Sequence, residues 1–128
     1  MNNFEALFAE YSCVLTDESV KAAVADILTK HVEENNNVEV WKQCLHSIDL
    51  TTLNGDDTTE KVETMAQRVN EFEDNFPDIP NVAAMCVYPS LVQTVADTLT
   101  EPIGIAAVAA GFPASQTFIE VKIAEAAM

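Results

Sequence analysis

The stretch Ile48-Asp49-Leu50-Thr51-Thr52-Leu53-Asn54-Gly55-Asp56-Asp57-Thr58 decides how the chain is to be read. A short apolar run carries one carboxylate and two hydroxyls to its end. Asn54-Gly55-Asp56-Asp57 then supplies turn residues, and Asp57 with Glu60 predicts a capping pair for a helix. Val62, Met65, Ala66, Val69, Phe72 and Phe76 give that helix its apolar face, and Pro77 ends it. Strand, turn and helix in this order make one β-α unit.

The order recurs twice downstream. Val82 to Val87 reads as a second strand, and Tyr88-Pro89 puts proline at the first turn of a helix carrying Leu91, Val92, Val95 and Leu99. Ile103 to Ala109 reads as a third strand, apolar throughout, as expected of a parallel sheet covered on both faces. Gly111-Phe112-Pro113 turns the chain, and Thr117 with Glu120 predicts a capping box for a last helix. The first strand is placed near Leu45 to Leu50. Three such units predict parallel strands joined by right-handed crossovers. Ile119, Ile123 and Ala126 are still in helical phase at Met128, with no Gly, Asn or basic last turn, so the chain is expected to be cut inside a helix.

Upstream the pattern is helical. Phe4, Leu7, Phe8 and Tyr11 predict a short helix; Val20, Ala23, Val24, Ile27, Leu28 and His31 predict a longer one behind Thr16 and Asp17. Glu33-Glu34-Asn35-Asn36-Asn37 breaks it, and a short helix is expected around Val38 to Gln43. Residues 1–36 are therefore assigned to an N-terminal helical extension and 37–128 to the β-α units.

The 128 residues, 48% of them hydrophobic, suit one ordinary domain. Six Lys+Arg against 21 Asp+Glu give a net charge of −15, which repels phosphate backbones and anionic membranes and argues against a nucleic-acid partner. The start Met1-Asn2-Asn3-Phe4-Glu5 shows no signal peptide, and no apolar run would cross a bilayer. Cys13, Cys44 and Cys86 have neither metal-ligand nor redox spacing, so a reducing cytoplasm is the expected compartment.

Among residues able to carry chemistry, Asp49 lies in an apolar strand, where burying a charge is costly unless it is paired or used. Thr51 shares its face, two residues on. The bland reading is a strand-end carboxylate bonded to a loop amide; the functional one is an active-site carboxylate at the C-terminal face of a barrel. Cys86 is expected to be buried or half buried, with no histidine near in sequence to activate it. His31 is expected to pack in the core or at its boundary, and His46 to be structural on the first strand. No metal site is expected. Asp56-Asp57 and Glu71, Glu73 and Asp74 read as solvated turn and helix-surface carboxylates.

Three strand ends together resemble one family. Ile48 to Thr58, Asn81-Val82-Ala83-Ala84-Met85-Cys86-Val87-Tyr88-Pro89 and Ile105 to Lys122 are similar, in order and spacing, to the first three units of deoxyribose-phosphate aldolase. The resemblance runs over about residues 44–128 and implies part of a TIM (β/α) barrel. It also implies a cofactor-free class I aldolase chemistry, in which a lysine Schiff base splits 2-deoxyribose 5-phosphate into glyceraldehyde 3-phosphate and acetaldehyde. By the resemblance, Asp49 supports the lysine network, Thr51 contacts substrate hydroxyls and Cys86 sits near the aldehyde. The Schiff-base lysine, a second lysine, the proton-relay aspartate and the phosphate loops would all lie C-terminal to this chain.

Lys21, Lys30, Lys42, Lys61 and Lys122 all fall on predicted helices. A Schiff-base lysine needs a desolvated pocket that lowers its pKa, so the chain is expected to be inactive alone. Three barrel units would also leave a sheet face and two edges open, which predicts either a homo-oligomer that covers the face, with or without exchanged helices, or a rearranged sheet with the N-terminal helices folded over it. The alternative is a non-enzymatic module that self-associates or completes a barrel with another chain. A receiver-like domain built on Asp56-Asp57 lacks a suitable strand-end lysine.

Overall fold

The computed structural model describes residues 3–11 and 15–128. These divide into two compact units, one up to Asn37 and one from Val38 to Met128. Cys13 lies outside the described residues.

The first unit holds α1 (Asn3–Glu10) and α2 (Asp17–Asn35). Thr16 caps α2 through a reciprocal box with Ser19: its hydroxyl accepts from the Ser19 N–H, and the Ser19 hydroxyl accepts from the Thr16 N–H. The expected helix is present, but α2 buries no residue. His31, expected in or beside a core, is exposed, with Nδ1 2.6 Å from Glu34 Oε1. Helical phase placed it correctly; phase alone does not say that a stripe is covered.

The second unit is α/β. Its order is α3 (Val38–His46), β1 (Asp49–Thr51), α4 (Thr59–Asn70), α5 (Phe72–Asn75), β2 (Ala84–Val87), a 3-10 turn (Pro89–Leu91), α6 (Val92–Thr98), β3 (Gly104–Ala107) and α7 (Ile119–Ala127). The strands form one parallel sheet in the order β1-β2-β3. Asp49 pairs with Ala84 and Ala84 with Gly104; Thr51 pairs with Cys86 and Cys86 with Ala106.

Side chains alternate across a sheet, so this register sorts its two faces. Met85 and Val87, fully buried, meet Val62, Ala66, Val69, Leu91 and Val95 in a single core, with Leu50 and Ile103 at its margin. Helices α4 and α6 therefore cover that face. Asp49, Thr51, Cys86 and Ala106 have the opposite phase and point to the other.

Side-chain amides hold the layers together. Asn81, 4% exposed, donates Nδ2 to the Val69 carbonyl and accepts the Val82 N–H at Oδ1, while its carbonyl meets His46 Nδ1 at 2.8 Å. Asn70 clips α4 to the end of α6, donating to the Thr98 carbonyl and accepting from the Thr100 N–H.

Several boundaries differ from the sequence reading. Leu45 and His46 end α3 rather than open a strand, because the Ser47 and Ile48 amides bond back to Gln43, Cys44 and Leu45. The helix expected through to Phe76 breaks at Glu71 into α4 and α5. Thr58, not Asp57, caps α4, accepting from the Lys61 N–H. Phe118 stands at the N-cap of α7 without a side-chain bond, so the Thr117–Glu120 box does not form. Finally, β3 is shorter than expected and mostly exposed, with Ile105 41% accessible, instead of covered on both faces.

Candidate functional site

Parallel strands bring their C-terminal ends to one side of the sheet, and the residues singled out in the sequence meet there. Thr51 and Cys86 are register partners on neighbouring strands, and the Thr52 N–H donates to the Cys86 carbonyl at 3.1 Å. Asp49 precedes Thr51 by two residues on the same face, and the Thr51 hydroxyl donates to the Asp49 carbonyl at 2.9 Å. Asp49 and Thr51 are exposed, so the carboxylate carries no burial cost and the sequence argument from that cost does not apply. Cys86 is a free thiol, 7% exposed.

Beside them the face is floored by Ala84, Gly104 and Ala106. The small residues are structural: a Cβ on Gly104 would stand 3.2 Å from the Ala84 Cβ. Three strands make an open floor rather than a pocket. The concavities of about 500 Å³ at Tyr88-Pro89-Ser90 and α7, and about 380 Å³ along Lys61 to Arg68, do not include Asp49, Thr51 or Cys86.

The loop after β1 is tightly held, a feature missed when Asp56-Asp57 was read as two solvated carboxylates. Asp56 is exposed, but the Asp57 side chain is 1% accessible. Asp57 accepts from Lys61 Nζ, from the Thr52 hydroxyl at 2.8 Å and from the Asn54 N–H at 2.9 Å. The Lys61 ammonium, ahead of the Thr52 and Asn54 donors and against partial desolvation, holds the Asp57 carboxyl down to about 2. The same contact raises the Lys61 pKa. The Thr52-x-Asn54-x-x-Asp57 spacing, with Lys61 one turn further on, was the signal available. The Tyr88 hydroxyl adds a tie across the strand ends, donating to the Leu53 carbonyl at 2.9 Å.

The loop after β3 is bent by Ala110, Gly111 and Ser115, all at positive φ. Positive φ at two residues with a Cβ costs on the order of 1–3 kcal/mol each. The Gly111 N–H is anchored on Glu125 Oε2 at 2.8 Å.

Every lysine lies on a helix: Lys21 and Lys30 on α2, Lys42 on α3, Lys61 on α4 and Lys122 on α7. Lys61, the first lysine after β1, is committed to Asp57. Among the described residues no three His, Cys, Asp or Glu side chains are grouped to hold a metal, and no helix is long and apolar enough to cross a membrane.

No protein-family model matches the chain. Curated proteins do. A Caenorhabditis elegans protein provisionally named as a deoxyribose-phosphate aldolase is 33% identical over 108 residues, covering 80% of this chain and 35% of that protein. The Homo sapiens deoxyribose-phosphate aldolase is 35% identical over 89 residues, covering 61% of this chain and 28% of its own length. The chain thus spans about a third of the length of the curated relatives it matches. By these matches the chain is related to the deoxyribose-phosphate aldolases.

Proposed function

We propose that this chain supplies the first three β-α units of a deoxyribose-phosphate aldolase-type barrel and does not perform the aldol cleavage by itself. The observation carrying this reading is the shared face: Asp49, Thr51 and Cys86 stand together on the side of the sheet away from the helices. In a barrel of this type that side is the interior, and the C-terminal strand ends line the active site.

In this reading Asp49 orients and charges the environment of a lysine brought by another part of the barrel. Thr51 meets substrate hydroxyls, and Cys86 lines the pocket beside the reacting carbonyl. The lysine would condense with the aldehyde of open-chain 2-deoxyribose 5-phosphate, losing water. Cleavage then releases glyceraldehyde 3-phosphate, and hydrolysis of the remaining enamine releases acetaldehyde. No lysine of this chain stands on the strand face, so the amine must come from elsewhere. The alternative, a non-enzymatic interaction module, draws on the same open sheet. We keep a cytoplasmic setting as part of the proposal.

Incubation with deoxyribose 5-phosphate and borohydride, followed by intact mass, tests this. We expect unmodified mass. One stoichiometric reduced adduct on a single lysine would sink the reading and show that chemistry survives on three strands.

A further inference from the structure

The turn after β1 holds a glycine that its shape does not call for. Gly55 is exposed and has no positive φ, and a Cβ built on it would meet nothing within 4 Å. An alanine would fit there, so neither backbone conformation nor space accounts for the residue. What the glycine does alter is the chemistry of the asparagine before it. Of the chain's asparagines only Asn54 precedes a glycine. With no Cβ beside it, a glycine nitrogen reaches the preceding side-chain carbonyl with little crowding.

Local bonding leaves that approach open. Among the described residues no hydrogen bond takes up the Gly55 N–H. The exposed Asn54 side chain donates only two long bonds, at 3.2 Å to the Thr52 hydroxyl and 3.4 Å to Asp57 Oδ1. Asn70 and Asn81 are held at both ends of the amide by bonds of 2.8 to 3.0 Å, and they precede Glu71 and Val82.

We infer that Asn54 is a site of spontaneous deamidation and that the reaction opens the loop around it. The Gly55 nitrogen bonds to Asn54 Cγ and gives up its proton. The Cγ–Nδ2 bond breaks and ammonia leaves, which closes a succinimide ring. Water then adds to one ring carbonyl and opens the ring, giving aspartate or, with the backbone rerouted through Cβ and Cγ, isoaspartate. The net change is one NH exchanged for one O, with no oxidant or cofactor. Aspartate sets a second carboxylate beside Asp57, whose side chain is 1% accessible, in place of an amide that donates to it. Isoaspartate lengthens the backbone by one carbon and removes from it the Asn54 carbonyl that accepts the Asp57 N–H at 3.2 Å. Thr52 donates its hydroxyl to Asp57 and its N–H to the Cys86 carbonyl, so the disturbance reaches the ends of β1 and β2. The inference rests on the turn's own bonds and is independent of the aldolase reading.

Peptide mapping of the folded chain through a timed incubation in warm, mildly alkaline buffer provides the test, with an isoaspartate methyltransferase as the label. The peptide carrying Asn54-Gly55 should convert first, to aspartate and isoaspartate, while the Asn70 and Asn81 peptides stay intact. Gly55→Ala should keep the far-UV spectrum and slow the conversion roughly tenfold. In the converted protein, separated by its added charge, the Thr52 and Asp57 amides should exchange roughly tenfold faster than in the fresh chain. An Asn54 peptide that stays intact in the folded chain overturns the proposal. So does earlier conversion of another asparagine, a Gly55→Ala rate equal to that of the wild type, or unchanged exchange in the converted protein. Should Gly55→Ala not fold, the wild-type map and the exchange rates decide by themselves.

Discussion

Asp57 shows what one carboxylate does to the loop that leads from β1 to α4. Its partners come from three sides: Lys61 on the helix, Thr52 at the strand end and Asn54 in the turn. Because its folded pKa is depressed to about 2, ionised Asp57 stabilises the fold above the ordinary carboxylate range. That contribution fades as pH falls from about 4 towards 2. Urea midpoints measured from pH 2 to 6 should therefore drop on the acid side for the wild type. The Asp57→Asn variant should be less stable at pH 6 and show a shallower acid slope; an unchanged slope would mean that other carboxylates set it. Sequence showed the carboxylate and the i,i+4 lysine, but not that only Asp57 of the Asp56-Asp57 pair turns inward. Turn geometry made that choice.

At the scale of elements, starts and stops were set by backbone bonding more than by composition. Thr58 caps α4 because its hydroxyl can reach the Lys61 N–H from an extended backbone, which leaves Asp57 free for the loop. Thr58→Ala should cost about 1 kcal/mol, read as a shift in the urea midpoint. If the midpoint does not move, the Asp57 network alone holds the helix start. The β2 and α6 assignments were legible because Met85, Val87, Leu91 and Val95 are apolar at strand and helix spacing and are buried in that phase. The β1 assignment slipped because Leu45 and His46 are equally compatible with the end of α3, where neighbouring carbonyls capture the next two amides. The break at Glu71 was invisible, since the apolar phase continues through it to Phe72 and Phe76.

For the molecule as a whole, stability in the Val38–Met128 unit rests on one apolar layer between the sheet and α4 and α6. Met85 is fully buried at its centre. Met85→Ala should cost about 2–5 kcal/mol and lower the thermal midpoint of that unit, followed by far-UV circular dichroism. A loss well below 1 kcal/mol would show that the layer collapses around the gap, or that the core lies elsewhere. The opposite face of the sheet contributes no such layer. By the register it carries Asp49, Thr51 and Cys86.

Sequence by itself determined the α/β class, the parallel order of three strand–helix units and the residues for the sheet face, because hydrophobic period and turn chemistry are local. It also determined that no strand carries a lysine. Only the tertiary structure decided which residues are covered. It exposed His31, Asp49 and most of β3, and turned Asp57 inward. Burial depends on what lies opposite a residue, and neither spacing nor residue type encodes that neighbour.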